Sequence, residues 1–142
     1  MIVPDTNLLV YAYNKQALRH EPARAWWERI LNGNTPVGLP WITSSGFIRI
    51  MTHRRITAEP LSPDHAVDLV RSWLDQPNVV ILQPGPKFAG LFLGYLEKLG
   101  VAGNLTTDAQ LAALAAENQA ELHSNDTDFS RFEGLRWRNP LK

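Results

Sequence analysis

Cysteine is absent from this 142-residue chain. Its absence excludes disulfides, thiolate metal sites and cysteine nucleophiles together. A charge excess of either sign is missing too: 14 basic residues balance 14 acidic ones. Nucleic-acid binders usually carry a basic surplus, so any polyanion must be met by a local cluster. No apolar run approaches membrane-spanning length, and no basic segment with an apolar core opens the chain. Neither a membrane protein nor a secretory signal is therefore expected, which makes the cytoplasm the expected location. None of the four histidines has a metal-ligand spacing, and repeats, low-complexity tracts and linkers are lacking. What remains is an ordinary globular composition, 44% hydrophobic and 20% charged. The length suits one domain, residues 1–142, around a single core.

Apolar periodicity and turn residues divide the chain into alternating strands and helices. Residues 2–4 read as a strand and 6–13 as a short helix. A second helix covers 21–32, with Pro22 in its first turn and Gly33 placed to stop it. Val37-Gly38-Leu39 is a weak strand. Residues 41–52 read as a helix with Trp41, Ile48 and Met51 on one side. Ser62-Pro63-Asp64 opens another that runs to Leu74, and 87–99 forms one more, ended by Gly100. The continuous β-branched run Val79–Leu82 is the clearest buried strand. A helix over 107–118 starts at a capping box of Thr107 and Gln110 and buries Leu111, Leu114 and Ala115. Strands at 121–123 and 135–137 complete the pattern. Such alternation implies an α/β fold with a mostly parallel sheet.

The chemistry is carried by aspartates in three separate segments. Asp5 ends the first strand and leads into a helix, where an open α/β sheet places its working residues. Asp108 opens the 107–118 helix, where free amides and the positive dipole end favour a carboxylate. Asp126 and Asp128 follow the strand at 121–123. Carboxylates converging from separate segments commonly hold a hard cation such as Mg²⁺ or Mn²⁺. Each has a bland alternative as a helix cap or an Asx-turn; three segments together favour the metal.

Three motifs occur in order: Pro4-Asp5-Thr6-Asn7, Asn104-Leu105-Thr106-Thr107-Asp108-Ala109, and Ser124-Asn125-Asp126-Thr127-Asp128-Phe129. With Trp41–Arg54 and Phe132–Trp137 between and after them, the chain resembles the PIN-domain family over essentially its whole length. More closely, it resembles the VapC-type toxins of bacterial toxin–antitoxin systems. That resemblance implies a three-layer α/β/α fold and a metal-dependent endoribonuclease. It further implies a cognate VapB-type antitoxin, whose carboxy-terminal segment blocks the active-site groove. Asp5 corresponds to the first metal-binding aspartate, Asp108 to the third acidic position and Asp126 to the variable fourth, with Asp128 a nearby acid. The second acidic position, usually Glu, falls near Gly46, so one carboxylate is missing. The expected cofactor is Mg²⁺, with Mn²⁺ possible, and Thr6, Asn7 and Thr107 are expected to orient its ligands. For Thr107, capping of the adjacent helix is the favoured alternative.

RNA contacts are expected from Arg49, His53, Arg54 and Arg55, since arginine's planar fork suits phosphate; Arg19, Arg24, Arg131 and Arg136 are outer candidates. The adjacent Trp26-Trp27 cannot both face one helical stripe. An apolar surface there and on the 41–52 helix is therefore expected to be covered by a homodimer, an antitoxin or both. Two other functions compete. A PIN-fold RNA- or protein-binding module with weak or no catalysis is favoured by Gly46. A phosphotransferase of the haloacid dehalogenase pattern needs a second Asp where Asn7 stands, which discounts it.

Overall fold

The computed structural model describes residues 1–142. Five strands form one sheet: β1 (Ile2–Pro4), β2 (Val37–Pro40), β3 (Val79–Leu82), β4 (Glu121–His123) and β5 (Arg136–Arg138). Their order is β3-β2-β1-β4-β5, and every neighbouring pair is parallel. Parallel strands need crossovers, which α1 (Thr6–Tyr13), α2 (His20–Leu31), α3 (Trp41–Met51), α4 (Pro63–Leu74), α5 (Phe88–Leu99) and α6 (Leu105–Glu117) supply. Two apolar clusters show the helices covering both faces. One joins α1 through α4 to β2 and β3, and the other joins α5 and α6 to β1 and β4. The fold is the expected α/β/α sandwich. β1 is central, so its carboxyl end opens at the middle of the sheet edge where β4 also ends. Both Asp5 and the Asp126 segment follow from there.

Several elements depart from the sequence reading. β3 is an edge strand whose Val80 and Ile81 are each 44% exposed, whereas all four residues of β2 are buried. A continuous apolar run signals burial only when strands flank both sides, and β3 has one neighbour. Trp26 and Trp27 are both buried, contrary to the expectation that one of them is left for a partner. α2 packs against more than one neighbour. Trp26 Nε1 donates to His123 Nδ1 on β4 (2.9 Å), while Trp27 meets Trp73 of α4 edge-on, ring centroids 5.4 Å apart. They leave no aromatic surface there for a partner to cover. Trp41 does the reverse, being 53% exposed, and the buried face of α3 is Thr43, Ser44, Phe47 and Met51. Ser62 caps α4 by accepting from the His65 amide (3.2 Å), as its position before Pro63 suggests.

α6 begins at Leu105, two residues before the expected start. Thr107 is therefore inside the helix and exposed, no capping box forms, and Asn104 at the cap makes no side-chain bond. Asp108 sits at the end of the first turn and not at the first residue. Its dipole interaction is correspondingly weaker.

Candidate metal centre

Asp108, Asp126 and Asp128 converge, with one carboxylate oxygen from each lying within 4.8 Å of the others. Asp108 arrives on α6. Asp126 and Asp128 come from the turn that opens a 3₁₀ helix (Thr127–Arg131), anchored in the core by Phe129. Asp126 Oδ1 accepts from the Asp128 amide (2.9 Å), and Asp128 lies 3.6 Å from the Arg131 guanidinium. The two carboxylates thus cap and pair locally while also facing Asp108.

Asp5 stands outside that triad and is only 9% exposed. The Ser124 hydroxyl donates to its Oδ2 (2.7 Å) and accepts from the Asp126 amide (3.0 Å). One buried serine therefore ties Asp5 to the loop that carries Asp126 and Asp128. Register explains the meeting: Pro4 pairs with His123, so the next residues, Asp5 and Ser124, leave the sheet side by side. Ser124 is a candidate site residue to which the sequence reading gives no role. Its only sequence signal is a small hydroxyl at the register position of Asp5. Thr43 is another: its hydroxyl donates to the Pro4 carbonyl (3.0 Å), and the Thr6 hydroxyl donates back to the Thr43 carbonyl (3.2 Å). These bonds pin α3 to the strand end that bears Asp5.

Electrostatics show how poorly this cluster tolerates full ionisation. Burial pushes the Asp5 carboxyl above its usual range, partly offset by the Ser124 hydrogen bond. Asp108 is raised to about 7, first by desolvation and then by the charges of Asp5, Asp126 and Asp128. Four carboxylates with Arg131 beside only one of them call for a cation or a proton. Every donor is a carboxylate or neutral oxygen, which suits a hard divalent ion of the Mg²⁺ or Mn²⁺ kind. The residues present fit such an ion.

Gly46 packs on Thr6, the residue after Asp5. A Cβ built on it would lie 2.9 Å from Thr6 Oγ1 and 3.1 Å from Thr6 Cγ2. The residue after Asp5 fills the space that a larger side chain at Gly46 needs. Asn7 is exposed on α1 and lines a cleft shared with Asp126. The basic residues are less central. Arg49 is exposed, about one turn past Gly46, while His53, Arg54 and Arg55 lie exposed beyond the end of α3, away from the triad. Of the outer candidates, Arg24 pairs with Glu21 and Glu28, Arg131 with Asp128, and Arg136 donates to the Gln119 carbonyl (3.0 Å).

The sequence model of the PIN domain matches residues 2–135. The chain belongs to the PIN-domain family. This PIN domain is 49% identical over 142 residues to Ribonuclease VapC33 of Mycobacterium tuberculosis, covering all of this chain and 99% of that one. It is 37% identical over 140 residues to Ribonuclease VapC37 of the same organism, covering 99% and 97%. Its fold matches the structure of VapBC-1 from nontypeable Haemophilus influenzae with a TM-score of 0.70, at 19% identity and full coverage of both chains. It also matches Mycobacterium tuberculosis VapC20, a Sarcin-Ricin loop cleaving toxin, with a TM-score of 0.63 at 18% identity, covering 96% of this chain and 99% of that one. No helix of this PIN domain is long and apolar enough to cross a membrane.

Proposed function

We propose that this PIN domain is an endoribonuclease that hydrolyses RNA phosphodiester bonds with Mg²⁺ or Mn²⁺ and acts as the toxin of a VapB–VapC-type pair. The observation that carries the reading is the triad of Asp108, Asp126 and Asp128 above Asp5 at the carboxyl edge of the sheet. Full-length identity to proteins named VapC ribonucleases supports it, and structures of VapBC complexes with this fold support a VapB-type antitoxin as partner.

The four aspartates divide the work. Asp108, Asp126 and Asp128 would hold the ion, and Asp5, held by Ser124, would add a fourth carboxylate to the site. A bound divalent ion supplies a Lewis acid that lowers the pKa of water and offsets charge on the phosphoryl oxygens. Ser124 and Thr43 keep the carboxylates from relaxing apart, so little reorganisation is needed when substrate binds. Thr6 braces α3 against the strand end, and Asn7 presents an amide toward the substrate side.

The test is RNA cleavage with and without Mg²⁺ or Mn²⁺. Asp5→Asn keeps the side chain's shape and removes its charge; cleavage should fall by orders of magnitude while the fold survives. Asp108→Asn should match it. Asp126→Asn should lose less, because Asp128 offers a second carboxylate beside it. Cleavage by Asp5→Asn at the parental rate would sink the assignment. Absence of metal-dependent turnover in the parent would favour the binding-module reading that Gly46 suggests.

A further inference from the structure

We infer that the cleft beside the triad is a base-reading subsite, which takes the keto edge of a nucleotide next to the scissile phosphate. This rests on the nuclease reading. The cleft, of about 290 Å³, is lined by Asn7, Tyr11, Asn125, Asp126 and Thr127. That is near the lower end of small-ligand sites. Asp126 belongs to both cleft and triad, so an occupant sits directly beside the metal-binding carboxylates. No basic side chain lines the cleft and one carboxylate does, which disfavours a phosphate. The remaining lining is neutral and polar, suited to the hydrogen-bonding edge of a base. Single-stranded RNA is read in this way, by bases turned out onto polar side chains.

Which edge it reads follows from a chain of hydrogen bonds. The Leu141 amide can only donate, and it donates to Asn139 Oδ1 (3.0 Å). Asn139 must then turn its NH₂ toward Asn125, and it donates to Asn125 Oδ1 (3.0 Å). Asn125 is thereby held with its own NH₂ as the free end. The Leu141 backbone amide therefore fixes, through Asn139, the orientation of a side-chain amide in the cleft. Set against the purine 6- or pyrimidine 4-position, a fixed NH₂ donor pairs with the carbonyl of guanine or uracil and meets the amino group of adenine or cytosine donor to donor. Asn7 and Tyr11 are one turn apart on α1 and complete the lining from the other side. Neither side-chain polar group is used inside the protein.

The experiment measures kcat/KM on RNAs randomised at the two nucleotides flanking the cleaved bond. The parent should prefer keto bases at one of the two positions by on the order of tenfold, because a site built to hydrogen-bond rejects a group that leaves its donor unpaired. Asn125→Asp keeps the shape and still accepts from Asn139, but exchanges donors for an acceptor. The preference at that one position should reverse toward amino bases while the other position stays unchanged. Asn139→Ala releases the Asn125 amide, and the ratio should fall toward one. Thermal unfolding checks that both variants fold, and ratios within one protein cancel any general loss of rate. Metal-dependent cleavage with no keto preference at either position overturns the subsite alone, as does a parental preference retained by Asn125→Asp. A parent that cleaves no RNA overturns the nuclease reading, and the subsite with it.

Discussion

Asp108 bears the cost of crowding carboxylates around one point. Its native pKa of about 7 stands against 3.8 for the unfolded residue. Between those values the native state holds a proton that the unfolded chain has released. For this group the metal-free protein is therefore most stable below the unfolded pKa. It loses stability as pH rises through the interval, and the full penalty is present above about 7. Asp5, raised by burial, acts in the same direction. Asp108→Asn is neutral at every pH and should flatten this slope. In chelator near pH 8 it should unfold later than the parent by on the order of 1 kcal/mol, a figure discounted for solvent screening of a half-buried group. Thermal unfolding in chelator across pH reads both effects. Mg²⁺ should stabilise the parent and do little for the variant. A parent whose stability rises through this interval would show that Asp108 is not crowded in the metal-free state. Ser124 was not legible at this scale, because a serine after a strand looks like any turn former; only its pairing with Asp5 across the sheet gives it a role.

Elements were legible where the local signal and the tertiary surroundings agree. α4 announces itself with Ser62 and Pro63, and the structure uses both. α6 did not, since Thr107 and Gln110 fit a capping box that the chain ignores by starting the helix at Leu105. β3 misled for a different reason, because its position at the sheet edge is a property of strand order. Gly46 was located by family resemblance, but its reason is a contact between elements. Gly46→Ala gains about 1 kcal/mol of helix propensity. It also drives a methyl group against Thr6 at 2.9 Å, and overpacking costs about 1–3 kcal/mol. A net loss of about 1 kcal/mol is expected. In a Thr6→Ala background the same change should be neutral or stabilising, which a double-mutant cycle by denaturant unfolding measures. Additive effects would mean that α1 and α3 do not meet through this pair.

For the whole molecule the question is how a chain with no net charge holds a polyanion beside four aspartates. The parallel sheet collects the acids at its carboxyl edge, which leaves attraction to residues farther out. Arg49, Arg54 and Arg55 are the exposed guanidiniums that no carboxylate neutralises along the path from Gly46 past the end of α3. Arg24, by contrast, is bound between Glu21 and Glu28, and Arg131 faces Asp128. An RNA strand crossing the triad would reach Arg49 first and then the loop carrying Arg54 and Arg55. Each phosphate contact on single-stranded RNA contributes about 0.7 to the slope of log affinity against log salt. Replacing all three arginines by Ala should therefore weaken binding and flatten the slope by roughly 2 units. The measurement uses Asp5→Asn as background so that RNA stays intact, with affinity titrated over a range of salt. Weaker binding with an unchanged slope would mean that the arginines act through folding and not through phosphate, and the RNA path would have to leave the triad on another side.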